Sequence, residues 1–152
     1  MKTAIIYASG HHHNTEKVVR AMADGRDVDL FTPAEAKDAD LSAYDCVGLA
    51  SGIYFCRFRK DLEAWACETD ALRGKAVFFV YTCGFRHKDF SKRLRKALCK
   101  KDCRNLGVFW CRGYDTFGIL KAVGGIAKRH PDARDLKRAQ DFMDGIAEQI
   151  KQ

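Results

Sequence analysis

The feature that most constrains this chain is an apolar run that breaks into a polar loop just before a helix. Residues 4–8 are apolar, residues 9–15 read Ser-Gly-His-His-His-Asn-Thr, and residues 15–23 have the spacing of an amphipathic helix. In such a loop the backbone N–H groups and the helix N-terminus point at one spot and favour negative charge there. The sequence therefore predicts a loop that binds a phosphate group.

Composition indicates one domain with a substantial core. The 152 residues are 47% hydrophobic, with only 2 Pro and 12 Gly, which is not typical of a linker-rich or disordered chain. No apolar run approaches the ~20 residues that span a membrane, and the first apolar run is too short for a signal peptide. We therefore expect a cytoplasmic protein without membrane insertion.

Apolar and amphipathic segments alternate along the chain. Strands are predicted at residues 4–8, 28–31, 44–50, 76–82 and 106–111, and helices at 15–24, 58–69, 87–101 and after the connection 112–131. Parallel strands need helical crossovers, so five buried strands with intervening helices predict an open, doubly wound α/β sheet. Ligands of such sheets bind beyond the carboxyl ends of the strands.

Three loops leave those carboxyl ends with residues suited to a ligand. They are the loop at 9–15, the segment Ser51-Gly52-Ile53-Tyr54-Phe55 and the segment Cys83-Gly84-Phe85. The first offers phosphate donors, and the other two each offer a glycine peptide and an aromatic side chain. A flat aromatic ligand with a phosphate tail would suit this set.

At these residues the chain resembles the flavodoxins, and more closely the short flavodoxin-domain proteins with a Ser-Gly-Ile-Tyr second loop. His13-Asn14-Thr15 stands where flavodoxins have Gly-Asn-Thr, and Gly-Gly-Ile-Ala follows at 124–127. The resemblance covers essentially the whole chain, residues 1–152, as one domain. It implies a three-layer α/β sandwich with a five-stranded parallel sheet in the order 2-1-3-4-5, and non-covalently bound FMN.

The resemblance also implies which residues contact FMN. In the first loop, the phosphate would be held by Ser9, His12, Asn14 and Thr15. One side of the isoalloxazine would lie at the second loop with Tyr54 stacked on the ring, and the pyrimidine side at the third. The Gly52 peptide would reorient to bond N5 of the reduced flavin, because glycine adopts both conformations easily. The implied cofactor-binding residues are Ser9, Gly10, His11, His12, His13, Asn14, Thr15, Ser51, Gly52, Ile53, Tyr54, Thr82, Cys83, Gly84 and Phe85.

Two features depart from the family pattern. His13 replaces a glycine, and histidine tolerates a positive φ less well than glycine does. The formal net charge is +7, whereas carrier flavodoxins are typically acidic, which argues against a generic shuttle that docks on basic reductases.

The histidines and cysteines also suggest metal or thiol chemistry. Consecutive histidines rarely converge on one ion, so the sequence does not favour a metal at 11–13. The seven cysteines include no Cys-x-x-Cys, which argues against a zinc ribbon, and their odd number argues against a disulfide framework. The sequence shows no recognisable catalytic histidine–acid pair for Cys83, so it predicts no catalytic residue.

The sequence thus predicts an FMN-binding electron-transfer protein, with two alternatives. These are a dedicated oxidoreductase similar to flavodoxin-like protoporphyrinogen oxidases, and a non-enzymatic regulator that has lost flavin. Nucleic acid is not expected as a partner, because no recognised motif supports binding through the basic helix at 86–101. The expected partner is a redox protein or a small anionic substrate, and the sequence does not indicate an oligomeric state.

The connection 112–131 is long for an ordinary loop. It is either a lid, with Tyr114 and Lys121 as candidate residues, or a short helix on the sheet edge.

Overall fold

The computed structural model describes residues 1–152, except for the side chain of His11. Within this description the strands are β1 (Thr3–Ala8), β2 (Val28–Phe31), β3 (Cys46–Tyr54), β4 (Arg57–Phe58), β5 (Ala76–Cys83) and β6 (Arg104–Arg112). The α-helices are α1 (Asn14–Ala23), α2 (Lys60–Glu68), α3 (Lys92–Leu98) and α4 (Ala133–Lys151). Among these described helices, none has both the length and the apolar character needed to cross a membrane.

Five strands form one parallel sheet in the order β2-β1-β3-β5-β6, and β4 pairs antiparallel with the end of β3. Counted over the parallel strands alone, this is the predicted order 2-1-3-4-5, so the fold prediction is confirmed. Strand order reverses between β1 and β3, and their carboxyl ends therefore flank the crevice where such sheets bind ligands.

Helices cover both faces of the sheet, which gives three layers. Helices α1 and α4 pack on one face through Val18, Met22 and Met143, while α2 and α3 pack on the other through Leu62 and Leu94. All eight residues of β5 are buried, as expected for a central strand covered on both sides.

The structure corrects the predicted boundaries around the second loop. Strand β3 continues to Tyr54 instead of ending at Ala50, and the chain reverses through Phe55 and Cys56, at φ 49° and 63°, into β4. Phe58 is fully buried in β4 and not on a helix; α2 begins only at Lys60. Hairpin pairing therefore replaces most of the expected loop.

Two further boundaries differ from the prediction. Helix α3 begins at Lys92 rather than at residue 87, because the carboxylate of Asp89 accepts hydrogen bonds from the backbone N–H and hydroxyl of Ser91 and holds a turn there. The connection 112–131 holds one short 3-10 turn, Gly118–Lys121, and an isolated bridge between Asp115 and Ile126.

Candidate functional site

The loop after β1 has a left-handed backbone at two successive histidines. His12 has a φ of 57° and His13 a φ of 53°, and α1 begins at the next residue, Asn14. A left-handed conformation costs a non-glycine residue about 1–3 kcal/mol. His13 thus adopts the conformation for which flavodoxins use glycine, so the loop keeps its shape at an energetic cost.

The side chain of His13 is held against its own helix. Its Nδ1 lies 2.8 Å from Oε2 of Glu16, and Arg20 donates to the same carboxylate at 2.7 and 3.0 Å. Hydrogen bonds from Arg20 and then His13 lower the pKa of Glu16. This network helps to hold the strained loop, and it keeps the His13 imidazole on the outer surface.

Two hydroxyl side chains lie at the N-terminus of α1. Oγ of Ser9 accepts a hydrogen bond from the backbone N–H of Glu16 at 3.3 Å. Oγ1 of the buried Thr15 shares a hydrogen bond of 2.9 Å with Oγ1 of Thr82, at the end of β5. The first and third predicted loops are therefore joined directly beneath the helix N-terminus.

Asn14 carries a polar atom without a partner. The residue is 7% exposed, and its Nδ2 donates to the backbone carbonyl of Tyr114 at 2.8 Å. A carbonyl only accepts, so this contact fixes the amide orientation and makes Oδ1 an acceptor. Among the side chains described, Oδ1 is the one buried polar atom that lacks a hydrogen bond. Such atoms are costly unless a ligand or water satisfies them.

Tyr54 lies across the opening between the first and second loops. A Cβ added to Gly10 would lie 2.7 Å from the Tyr54 hydroxyl oxygen, and one added to Gly52 would lie 3.2 Å from its ring. A side chain at either position would push the Tyr54 ring away from where it lies. The ring thus lies against two glycines and faces the space above the loop after β1.

These elements enclose a cavity of about 270 Å³ at the carboxyl edge of the sheet. It is lined by Ser9, Gly10, Asn14, Thr15, Gly52, Ile53, Tyr54, Phe55, Cys56, Thr82, Cys83, Gly84, Gly113, Tyr114, Asp115 and Phe117. Ten of the predicted cofactor-binding residues are in this set, and all three predicted loops contribute.

Four of the predicted residues lie outside this wall. Ser51 is fully buried and holds the hairpin, donating to the carbonyl of Gly52 at 2.6 Å and accepting from the N–H of Arg59 at 2.9 Å. Phe85 is 67% exposed, and the side chains of His12 and His13 are also exposed. The side chain of His11 lies outside the described residues.

The sequence named the connection 112–131 as a candidate lid with Tyr114 and Lys121, and Tyr114 does line the cavity whereas Lys121 does not. It did not identify Gly113, Asp115 and Phe117, which line the cavity beside Tyr114. The N–H of Gly113 donates to the carbonyl of Cys83 at 3.0 Å, and a Cβ at Gly84 would lie 2.7 Å from Asp115. Nε2 of His12 lies 2.9 Å from Oγ1 of Thr116. The connection is therefore a lid fixed to both the loop after β1 and the end of β5.

Residues 4–117 match the flavodoxin-domain family. The chain belongs to this family. A protein of Methanocaldococcus jannaschii whose function is uncharacterised is 37% identical over 148 residues, covering 96% of this chain and 98% of that protein. A Streptococcus pneumonia TIGR4 flavodoxin superimposes with a TM-score of 0.68 at 16% identity, over 98% of this chain and 99% of its own. A flavodoxin from the domain Archaea does so with a TM-score of 0.64 at 15% identity, over the full length of both chains.

Membership of the flavodoxin-domain family indicates the general kind of function. Proteins with this domain generally bind flavin, and the family supports a flavin-type redox function in broad terms. The two flavodoxin structures are too distant in sequence to show more than the fold.

Cys83 forms part of the cavity wall in this flavodoxin-domain protein. The residue is 8% exposed, and burial raises the pKa of its thiol to about 11, against an opposing effect of Arg86. Since the thiolate is the nucleophilic form, a thiol with this pKa is inert near neutral pH. The structure therefore gives Cys83 a packing role.

Cys83→Ser is expected to change flavin affinity by no more than about three-fold, because the thiol is uncharged and the serine hydroxyl is similar in size. The thiol should also resist iodoacetamide near pH 8 in the folded protein, whereas the exposed Cys67 is modified. The pKa of Cys83 in the folded protein lies above the ordinary value of 9.0, so between pH 9.0 and about 11 unfolding releases a proton. The free energy of unfolding therefore falls as pH rises through this interval. Mass spectrometry of alkylated peptides checks the reactivity; rapid modification of Cys83 at pH 8 would contradict the packing role.

One further cluster has a structural explanation. Ligand atoms of His130, Asp132 and Asp135 lie within 4.8 Å of one another. Asp132 accepts from the N–H of Asp135 at 2.9 Å, and Asp135 accepts from the N–H of Asp132 at 3.1 Å, which is a capping box at the start of α4. The cluster therefore stabilises the helix N-terminus.

Proposed function

We propose that this protein binds FMN non-covalently in the cavity beneath the lid and transfers electrons through it. The observation that carries the proposal is the buried, unpaired Oδ1 of Asn14 beside the N-terminus of α1. An acceptor there needs a donor from the ligand. The ribityl chain of FMN carries hydroxyl donors, whereas a phosphate dianion carries none.

The polar end of the cavity fits the phosphate of FMN. The N-terminus of α1 favours a negative charge, and Ser9 keeps its hydroxyl hydrogen free to donate because its oxygen is the acceptor for Glu16. Thr15 and Thr82 lie at the same end. These groups would hold the phosphate, and the strained His12-His13 backbone would keep the helix N-terminus open toward it.

The opposite end of the cavity fits the isoalloxazine ring. Tyr54 supplies an aromatic face and packs over Gly52, Asp115 of the lid packs over Gly84, and the lid residue Tyr114 would restrict solvent. FMN, when bound, supplies the one- and two-electron chemistry, while the protein supplies binding, orientation and electrostatics. The cytoplasmic location stays a prediction from the sequence.

Reversible reduction tests the redox part of the proposal. The FMN-loaded protein is treated anaerobically with dithionite, reoxidised with ferricyanide, and passed through a desalting column after each half-cycle. The expected result is loss and full recovery of the visible absorption, with flavin retained on the protein throughout. Release of flavin in either state would show that the cavity does not hold a working redox cofactor.

The lid favours a dedicated oxidoreductase as the second candidate. Gly113, Asp115 and Thr116 fix the lid over the cavity, where it could shape a substrate site above the flavin. A carboxylate-rich porphyrinogen would suit the net charge of +7. Flavin-dependent oxidation of protoporphyrinogen, faster than its autoxidation, would favour this candidate, and inactivity would favour the electron carrier.

A further inference from the structure

Exposed apolar side chains lie on the three elements that surround the cavity, namely the β3–β4 hairpin, the segment after β5 and the lid. Apart from Met1, the large apolar side chains that the structure describes as exposed are Phe55, Phe85, Phe117, Ile119 and Val123, at 80%, 67%, 54%, 87% and 71%. We call these five residues the apolar mouth. Phe55 and Phe117 meet edge to face with their ring centroids 5.3 Å apart, although they come from the β3–β4 hairpin and the lid. Contiguous exposed apolar surface commonly marks an interaction site.

Four basic side chains at the end of β6 and on the lid have no acidic partner. Arg112, Lys121, Lys128 and Arg129 are exposed, and no carboxylate of the described residues lies within 4.0 Å of their charged atoms. We call these four residues the basic rim. Uncompensated charge of one sign around an opening attracts partners of the opposite sign and raises their rate of association.

We propose that the apolar mouth and the basic rim form the docking surface for an acidic electron-carrier protein. The proposal rests on the proposed function and names its partner. Aromatic side chains at the centre with charges at the edge are the composition of protein–protein interfaces. In each encounter one electron leaves the metal centre of the reduced carrier, which is oxidised, and enters FMN, which is reduced.

The placement of these residues favours a protein over a small molecule. Ile119 and Val123 are exposed on the lid but do not line the cavity, so a ligand inside the cavity leaves them uncovered. A second copy of this chain is disfavoured, because face-to-face association would bring two basic rims together. An acidic protein surface satisfies both the apolar and the basic residues.

The test measures binding of an acidic [2Fe–2S] ferredoxin by isothermal titration calorimetry, to FMN-loaded and to flavin-free protein. Basic cytochrome c is the counter-probe. The rim variant is Lys128→Glu/Arg129→Glu, and the mouth variant is Ile119→Ser/Val123→Ser. The control Lys100→Glu/Arg104→Glu changes the charge equally at the amino edge of the sheet, where β6 begins.

We expect the ferredoxin to bind and cytochrome c not to bind. The rim variant should weaken ferredoxin binding about ten-fold or more at low salt, with the difference shrinking as salt rises. The mouth variant should weaken binding at every salt concentration, because apolar contacts are not screened. The control should stay within about two-fold. Each variant is also titrated with FMN, whose affinity should not change.

Several results would overturn the proposal. They are equal binding of ferredoxin and cytochrome c, no ferredoxin binding, or equal effects of the rim and control variants. If the protein sediments with anionic phospholipid vesicles and the rim variant does not, the surface binds a membrane. If the protein dimerises and the mouth variant does not, the surface binds a second copy of the chain. Because flavin-free protein is included, failure of FMN binding is distinguished from failure of docking.

Discussion

Tyr54→Ala is expected to weaken FMN binding about 30- to 100-fold. The ring lies over Gly10 and Gly52 and lines the cavity, and losing a buried aromatic face removes about 2–3 kcal/mol of binding energy. Titration of the protein into FMN, followed by flavin fluorescence, measures the dissociation constant directly.

Tyr54→Phe is the matched control for this prediction. It keeps the ring and removes only the hydroxyl, so its affinity should remain within about three-fold of the parent protein. Circular dichroism should show the same fold for both variants. If Tyr54→Ala binds FMN as tightly as the parent protein, the isoalloxazine ring is not held by Tyr54.

Asn14→Ala is expected to weaken FMN binding about 10- to 100-fold, because a buried hydrogen-bonding group is worth about 1–3 kcal/mol when its partner is left unpaired. The same change removes the contact to the carbonyl of Tyr114, so the lid should exchange its amide hydrogens faster. In the flavin-free protein the loss of that bond is offset by removal of the unpaired Oδ1, so the free energy of unfolding should change by less than about 1 kcal/mol.

Asn105→Ala provides the control at the other end of the sheet. Oδ1 of Asn105 accepts from the N–H of Gly107 at 3.1 Å, in an exposed position at the start of β6. This change should leave FMN affinity and lid exchange unaltered. Asn14→Ala with unaltered affinity would remove the main support for FMN in this cavity.

The parallel sheet could be predicted because its signal lies in short, local patterns. Residues 76–82 are almost continuously apolar, and β5 is buried along its whole length. The hairpin of β3 and β4 could not be predicted, because its turn uses positive φ values at Phe55 and Cys56. Sequence rules expect glycine or asparagine at such positions, so nothing in the sequence marked the turn.

Part of the site could be predicted, because its residues follow parallel strands whose carboxyl ends meet at one edge of the sheet. This reasoning placed Asn14, Tyr54 and Cys83 on the wall of one cavity. It failed for Ser51, because strand β3 extends past it and its hydroxyl bonds to Arg59. The lid contacts join residues about a hundred positions apart, such as Asn14 and Tyr114, and no local pattern encodes such a pairing.

The most direct test of the central claim is to add excess FMN to the purified protein, remove free flavin, and record the visible spectrum and flavin fluorescence. We expect a yellow complex with one FMN per chain and quenched fluorescence. Riboflavin, which lacks the phosphate, should bind much more weakly. Colourless protein that leaves FMN fluorescence unchanged would contradict the proposed function, and would show a flavodoxin-domain protein that does not use the cofactor of its family.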